Sequence, residues 1–228
     1  MQELTPQDLH TIASCPLFRD IDLPLLLRHL SSFCTTLDEG AFLVRESEPV
    51  TRLFVVLEGI MHASCHSYSG QEFLYQQLLP SYMAGGEVVC TRRKTCPYSI
   101  YAKTPCRLWS FDWADVENER LPHELHARLM QNMLGFVANQ NMHKYVKIEA
   151  LSQKSARAKI LKYLVGQSLR SQSASFTITM DREAMANFLC LNRSVLSHEL
   201  KKMEADGILT FHKNRFTLLS DSIPPQLR

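Results

Sequence analysis

The sequence has no hydrophobic run approaching the ~20 residues that a membrane-spanning helix requires; the greasy stretch from Leu23 to Leu27 is short and carries Pro24. Met1-Gln2-Glu3-Leu4 lacks the basic-then-apolar order of a secretory leader. A cytoplasmic location without a membrane partner is therefore expected. Glycine-rich phosphate loops, a paired-histidine metalloprotease helix and a nucleophile elbow are all missing, which leaves an enzyme reading without support. The seven cysteines, at 15, 34, 65, 90, 96, 106 and 190, are odd in number and scattered, unlike a secreted disulfide framework.

What is present is an asymmetry of charge. The 228 residues carry a net charge of only +2. From residue 151 onward there are 12 Lys and Arg against 6 Asp and Glu, a balance of +6, whereas the first 150 residues hold 13 against 17, a balance of −4. A compact basic C-terminal third points to an anionic partner there.

Local patterning divides the chain in the same way. Residues 3–33 read as short helices, with Thr5-Pro6 and Asp22 as starts and Leu25, Leu26, Leu27 and Leu30 facing a core. From about 37 to 112 the signal is β. The runs Arg52–Leu57, Ile60–Ser67, Glu72–Tyr75, Tyr98–Ala102 and Cys106–Phe111 are separated by turn residues such as Gly59 and Ser69-Gly70, as in an antiparallel roll or barrel. Pro122 to about Ile148 then reads as one long helix in which Leu125, Leu129, Met133, Phe136, Val137 and Val146 recur at threes and fours. Its length favours packing on a second copy, a homodimer, with Asn132, Asn139 and His143 weakening the seam. A helix lying on its own roll would show the same period. Glu149-Ala150-Leu151 reads as a hinge, Ser152 as the cap of a new helix, and Gln167–Ser175 as a loop before a short strand, Phe176–Ile178. The expected class is α+β: a sensor roll over 1–120, a dimerisation helix and hinge over 121–150, and a DNA-binding domain over 151–228.

Residues 181–206 fit a helix–turn–helix. Asp181 caps a first helix with Met185, Phe188 and Leu189 apolar, and Asn192 caps a second in which Val195, Leu196, Leu200 and Met203 face inward. Arg193, Ser194, Ser197, His198 and Lys201 fall on the opposite side. Major-groove docking requires this split, with one side pinned to the scaffold and donors near the helix N-terminus. Arg193 is expected to contact a guanine or clamp a phosphate, with Ser194, Ser197 and His198 reading base edges. Arg182 and Lys202 are expected on phosphates. Residues 207–218 form a hairpin wing with Lys213 at its basic tip.

In this order of elements the chain resembles the CRP/FNR superfamily of bacterial transcription regulators over nearly its whole length. The resemblance rests on Cys15-Pro16-Leu17-Phe18, Leu57-Glu58-Gly59, Gly86-Glu87, Leu209 through Leu218 and, most specifically, Asn192 through His198. It implies a homodimer joined by the long helix, a palindromic operator in double-stranded DNA and contact with RNA polymerase. It also implies an effector pocket at Gly86, Glu87, Tyr98 and Ser99. Family members that bind cyclic AMP have a Gly-Glu pair followed by an Arg-Ser pair, whose Arg and Ser neutralise the phosphate. Here Tyr98 replaces that Arg, so cyclic AMP is disfavoured unless Arg92, Arg93 or Lys94 substitutes, and a different small-molecule effector is expected. Ser47 departs from a glycine common in the family. The N-terminal cysteines lack the spacing of an iron–sulfur cluster. Cys90 and Cys96 flank a basic stretch that can lower a thiol pKa, but buried or inert cysteines are the favoured reading, since cysteine is commonly just a small hydrophobe. His62 and His66 read as surface polar residues, since a metal site needs three or four convergent ligands; nothing positive supports a haem ligand. The alternative function is a cyclic-nucleotide-type module that acts through a protein partner rather than DNA.

Overall fold

The computed structural model describes residues 4–68, 70–117 and 121–219. Ser69 of the expected turn, and the expected segment ends within 1–3, 118–120 and 220–228, lie outside the described residues. The described residues pack as two units, one within 4–65 and 75–140 and the other within 66–74 and 141–219.

The first unit begins with α1 (Pro6–Ala13), where Thr5 and Asp8 form a reciprocal capping box, and α2 (Leu23–Leu27), capped by Asp22. Leu26 and Leu30 reach the core, whereas Leu25 stays 37% exposed. Eight strands follow: β1 (Ser32–Leu37), β2 (Phe42–Val44), β3 (Arg52–Glu58), β4 (Met61–His66), β5 (Glu72–Leu78), β6 (Met83–Ala84), β7 (Ser99–Ala102) and β8 (Cys106–Asp112). They form two four-stranded sheets ordered β1-β8-β3-β6 and β2-β7-β4-β5, antiparallel in the registered pairs. The central strand β3 is paired on both edges, and Leu53, Val55, Val56 and Leu57 are buried, so both of its faces are covered, which is why Leu53 through Leu57 forms a nearly unbroken apolar run. Gly59 turns the chain at φ 86°, and a β-carbon there would lie 2.3 Å from the Pro105 carbonyl oxygen, so only glycine fits. Two single-turn helices, α3 (Gly86–Val89) and α4 (Ala114–Glu117), complete this part.

Strand structure starts at Ser32, earlier than expected, because β1 is an edge strand of mixed polarity without clear alternation. His62 is also not a surface residue. It is 2% exposed, with Nδ1 3.2 Å from the Tyr101 hydroxyl and Nε2 3.4 Å from Gln77 Nε2. Among the described residues no group of three His, Cys, Asp or Glu could hold a metal ion.

The long helix α5 (His123–Leu151) extends beyond its expected end. Leu125, Leu129 and Met133 are buried in the roll core, with Phe136 and Val137 packed partly against it. Asn132 does not belong to an outer seam: its side-chain amide donates to the carbonyls of Leu17 (2.9 Å) and Arg19 (2.8 Å). Another face of α5 leaves Met130, Leu134, Met142, Tyr145 and Ile148 exposed.

The expected hinge 149–151 is helical, and Ser152 caps no new helix. Its hydroxyl donates back to the Ile148 carbonyl, closing the end of α5. The cap of α6 (Ala156–Ser171) is Ser155, which accepts from the Ala158 N–H. Helix α6 therefore runs through Gln167–Ser171, which sequence patterning reads as loop. Ser168 is buried there and donates to the Ser173 carbonyl at 2.7 Å. The second unit continues through β9 (Ser175–Thr177), α7 (Arg182–Phe188), α8 (Arg193–Ala205), β10 (Leu209–His212) and β11 (Arg215–Leu218), with sheet order β10-β11-β9. Its core gathers Ile160, Leu164, Met185, Leu189, Leu196, Leu200, Met203 and Phe216. Among the described residues no helix is long and apolar enough to cross a membrane.

Candidate DNA interface and effector pocket

Helices α7 and α8 are held by the turn at Leu189–Asn192. Asp181 caps α7 by accepting from the Ala184 N–H at 2.7 Å. Cys190 takes a left-handed φ of 54° between the helices, and the Leu191 N–H donates to the Ala186 carbonyl. Asn192 occupies the N-cap position of α8, but its side chain makes no capping hydrogen bond. Along α8, Leu196, Leu200 and Met203 are fully buried, each stabilising the fold by roughly 1.5–3 kcal/mol. Arg193, Ser194, His198, Lys201 and Lys202 are exposed and Ser197 is half-buried. Val195 belongs with the outer set, at 40% exposure, because it lies about 100° round the helix from the buried row Leu196, Leu200 and Met203.

The wing is the β10–β11 hairpin, whose tip places Lys213 exposed at a left-handed φ of 51°. His212 and Arg215 are exposed beside it. Sequence patterning does not single out Arg215, and its place at the hairpin turn is the signal that marks it. Arg182 departs from expectation. Its guanidinium is half-buried, donates to the Lys213 carbonyl at 2.6 Å and lies over the rings of Phe211 and Phe216, 5.0 and 4.9 Å from their centroids. It fastens α7 to the wing, and burial holds its pKa below the ordinary guanidinium range.

Of the four expected effector residues, Tyr98 and Glu87 are joined directly in the roll, while Ser99 is engaged by Glu46. The Tyr98 hydroxyl donates to Glu87 Oε1 at 2.8 Å, and the Glu46 N–H donates to Ser99 Oγ at 3.0 Å. Burial first, and then the Glu87 carboxylate, push the Tyr98 phenol far above its usual range. The Tyr98 ring lies 5.6 Å from that of Tyr75. Gly86 is pressed from outside, since a β-carbon there would sit 2.6 Å from the Met83 methyl and 2.8 Å from the Phe136 ring of α5. Phe136 and Tyr75 are contributions that strand and helix patterning do not reveal. Of the nearby bases, Lys94 is paired with Glu117 at 2.7 Å, while Arg92 and Arg93 are exposed. The basic stretch does not activate the adjacent thiols. Burial raises both Cys90 and Cys96, and the Glu117 carboxylate adds to the effect at Cys90.

Residues 34–120 match the cyclic nucleotide-binding domain family, and residues 158–221 match the Crp-like helix-turn-helix domain family. The transcriptional activator protein anr of Pseudomonas aeruginosa is 26% identical over 195 residues, covering 82% of this chain and 76% of that protein. Two solved structures share the fold. FixK2 of Bradyrhizobium japonicum aligns with a TM-score of 0.66 at 15% identity, over 84% of this chain and 94% of its own. A CooA variant from Carboxydothermus hydrogenoformans aligns with a TM-score of 0.67 at 17% identity, over 95% and 93%. With a cyclic nucleotide-binding domain followed by a Crp-like helix–turn–helix, the chain belongs to the CRP/FNR superfamily of transcription regulators.

Proposed function

We propose that the protein acts as a homodimer on a palindromic operator, each copy inserting α8 into the major groove, under control of an effector in the roll that is not cyclic AMP. The observation that carries this is the division of α8. Three fully buried apolar residues fix one side to the scaffold, Ser194, Ser197, His198, Lys201 and Lys202 lie off that stripe, and Arg193, in line with Leu196 and Leu200, is exposed at the helix's first residue. Exposed on the first turn, Arg193 would make a forked contact to guanine and the exposed lysines would contact phosphates. Lys213 on the wing adds a contact to a neighbouring phosphate.

The dimer reading rests on α5. Leu134 is 73% exposed and Ile148 58%, in a helix whose opposite side is already buried. Large apolar side chains at helical spacing on an open face suit a second copy. Two-fold pairing would set the recognition helices about one turn of DNA apart, ~34 Å. Contact with RNA polymerase is part of the same reading, carried by the family.

A mobility-shift assay on the DNA upstream of the protein's own gene tests the proposal. Wild-type protein should shift it as a dimer, and Arg193→Ala should weaken binding by about tenfold or more, since a bidentate base contact is worth roughly 1–3 kcal/mol. Binding indifferent to Arg193→Ala, or equal on every duplex, would overturn it and favour action through a protein partner.

A further inference from the structure

The roll carries the residues of an effector pocket, yet its polar groups are already engaged by the chain itself. Glu87 accepts from Tyr98 at 2.8 Å and Ser99 accepts from the Glu46 N–H at 3.0 Å. The Tyr98 ring packs partly buried against the roll core, tilted against Tyr75 at 5.6 Å. We infer that Tyr98 is an internal plug that stands on Glu87 in place of a ligand hydroxyl, and that the site it uncovers takes an uncharged or cationic molecule bearing hydroxyl or amine donors, not an anion. This deepens the reading of residues 34–120 as an effector domain and rests on it.

The sign of the charge follows from the groups at hand. The charged groups acting on Tyr98 and Cys96 are the carboxylates of Glu87 and Glu46. The bases nearest in sequence are committed or turned away. Arg45 lies over the Phe42 ring at 4.0 Å, Lys94 pairs with Glu117, and Arg92 and Arg93 are exposed. A phosphate placed against Glu87 would be desolvated beside a like charge, and Tyr98 offers it no positive charge in return. A hydroxyl or ammonium donor would reproduce the hydrogen bond that Tyr98 now makes. Displacing the plug moves the residue after Gly86, and Gly86 has no clearance from Phe136, so the event is passed directly to α5.

The test is calorimetric titration of the full-length protein with adenosine and with cyclic AMP, which share base and sugar and differ in the phosphate. Wild type should bind neither detectably. Tyr98→Ala should gain adenosine binding and prefer it to cyclic AMP by about tenfold. Tyr98→Arg should reverse the preference, and it also serves if Tyr98→Ala fails to fold. Cyclic AMP binding by wild type at micromolar concentration overturns the inference. So does a folded Tyr98→Ala that gains neither ligand, or a Tyr98→Arg that still rejects the phosphate. The mobility shift of wild type is scored separately, so loss of the regulator reading is distinguishable from loss of the plug.

Discussion

The guanidinium of Arg107 on β8 closes over the carboxylate of Asp8 on α1 with both terminal nitrogens, one at 3.0 Å and the other closer, and reaches Glu58 at 3.0 Å. Asp8 is 2% exposed and is at the same time the third residue of its helix's capping box. One carboxylate therefore satisfies a helix start and anchors that helix to the roll. The cation holds the Asp8 carboxyl below the usual carboxylate range.

Removing Arg107 leaves a buried carboxylate without its partner. Arg107→Ala is expected to cost about 3 kcal/mol, at the low end for a buried pair because the arginine keeps some solvent contact. The pH dependence follows from the depressed Asp8 pKa. The stabilisation is fully present above the unfolded value of 3.8 and is lost as pH falls through the lower folded value. Denaturant melts of wild type and Arg107→Ala should therefore differ fully at pH 7 and converge on acidification below about pH 4. A constant difference down to pH 2 would remove Asp8 from the account.

Gly86 meets Phe136 where the pocket loop touches α5. Gly86→Ala forces the Met83 methyl and the Phe136 ring to give way, at an expected cost of about 1–3 kcal/mol. The same displacement should change operator affinity, because Phe136 belongs to the helix proposed to join the dimer. A variant with an unchanged melting temperature would show that the ring moves freely and that this contact transmits nothing.

The main elements are legible in the sequence because each carries a local physical signal. Proline or a short polar cap starts α1, α2 and α7, β-rich runs bounded by glycine mark β3 and β4, and the apolar rows of α5 and α8 repeat at threes and fours. The misses are places where tertiary structure decides. Helix α6 runs through Gln167–Ser171 because Ser168 finds a buried carbonyl partner, which no window of sequence displays. Ser47 sits at φ 69°, accounting for the family's preference for glycine there, and its N–H is held by the Cys96 carbonyl at 2.8 Å. Resemblance points to four residues for an effector pocket, but the Tyr98–Glu87 bond joins positions eleven apart, and only folding brings those two together.

Cys15, Cys34, Cys90, Cys96 and Cys106 are expected to be chemically quiet. Cys15 is pushed up to about 11 by burial, and Cys34, Cys90, Cys96 and Cys106 are raised as well, with burial the first cause in each. Alkylation of native protein by iodoacetamide at pH 7 should reach the exposed Cys90 slowly and leave Cys15 and Cys96 unmodified until unfolding. Mobility shifts should be the same with and without reductant. Rapid labelling of Cys90, or a shift that depends on reductant, would reinstate a redox switch at the basic loop.

Arg182 and Arg193 differ in their surroundings: Arg182 is engaged within the chain, whereas Arg193 is exposed and is the one proposed to contact DNA. Arg182 donates to the Lys213 carbonyl and lays its plane over Phe211 and Phe216, so its position is fixed by the wing. Arg182→Ala should lower the stability of the C-terminal unit by about 1–2 kcal/mol, because the packing and stacking on both rings disappear. It should also weaken DNA binding by freeing the wing, without changing the slope of log affinity against log salt. Arg182→Lys should not rescue it, because an ammonium lacks the planar fork. Replacing Lys201, Lys202 or Lys213 by alanine should leave the melting temperature in place and reduce the salt slope by about one for each phosphate no longer neutralised. A full unit drop in slope on Arg182→Ala with unchanged stability would return that residue to the phosphate backbone. An unaltered slope in all three lysine variants would remove this face from the DNA altogether.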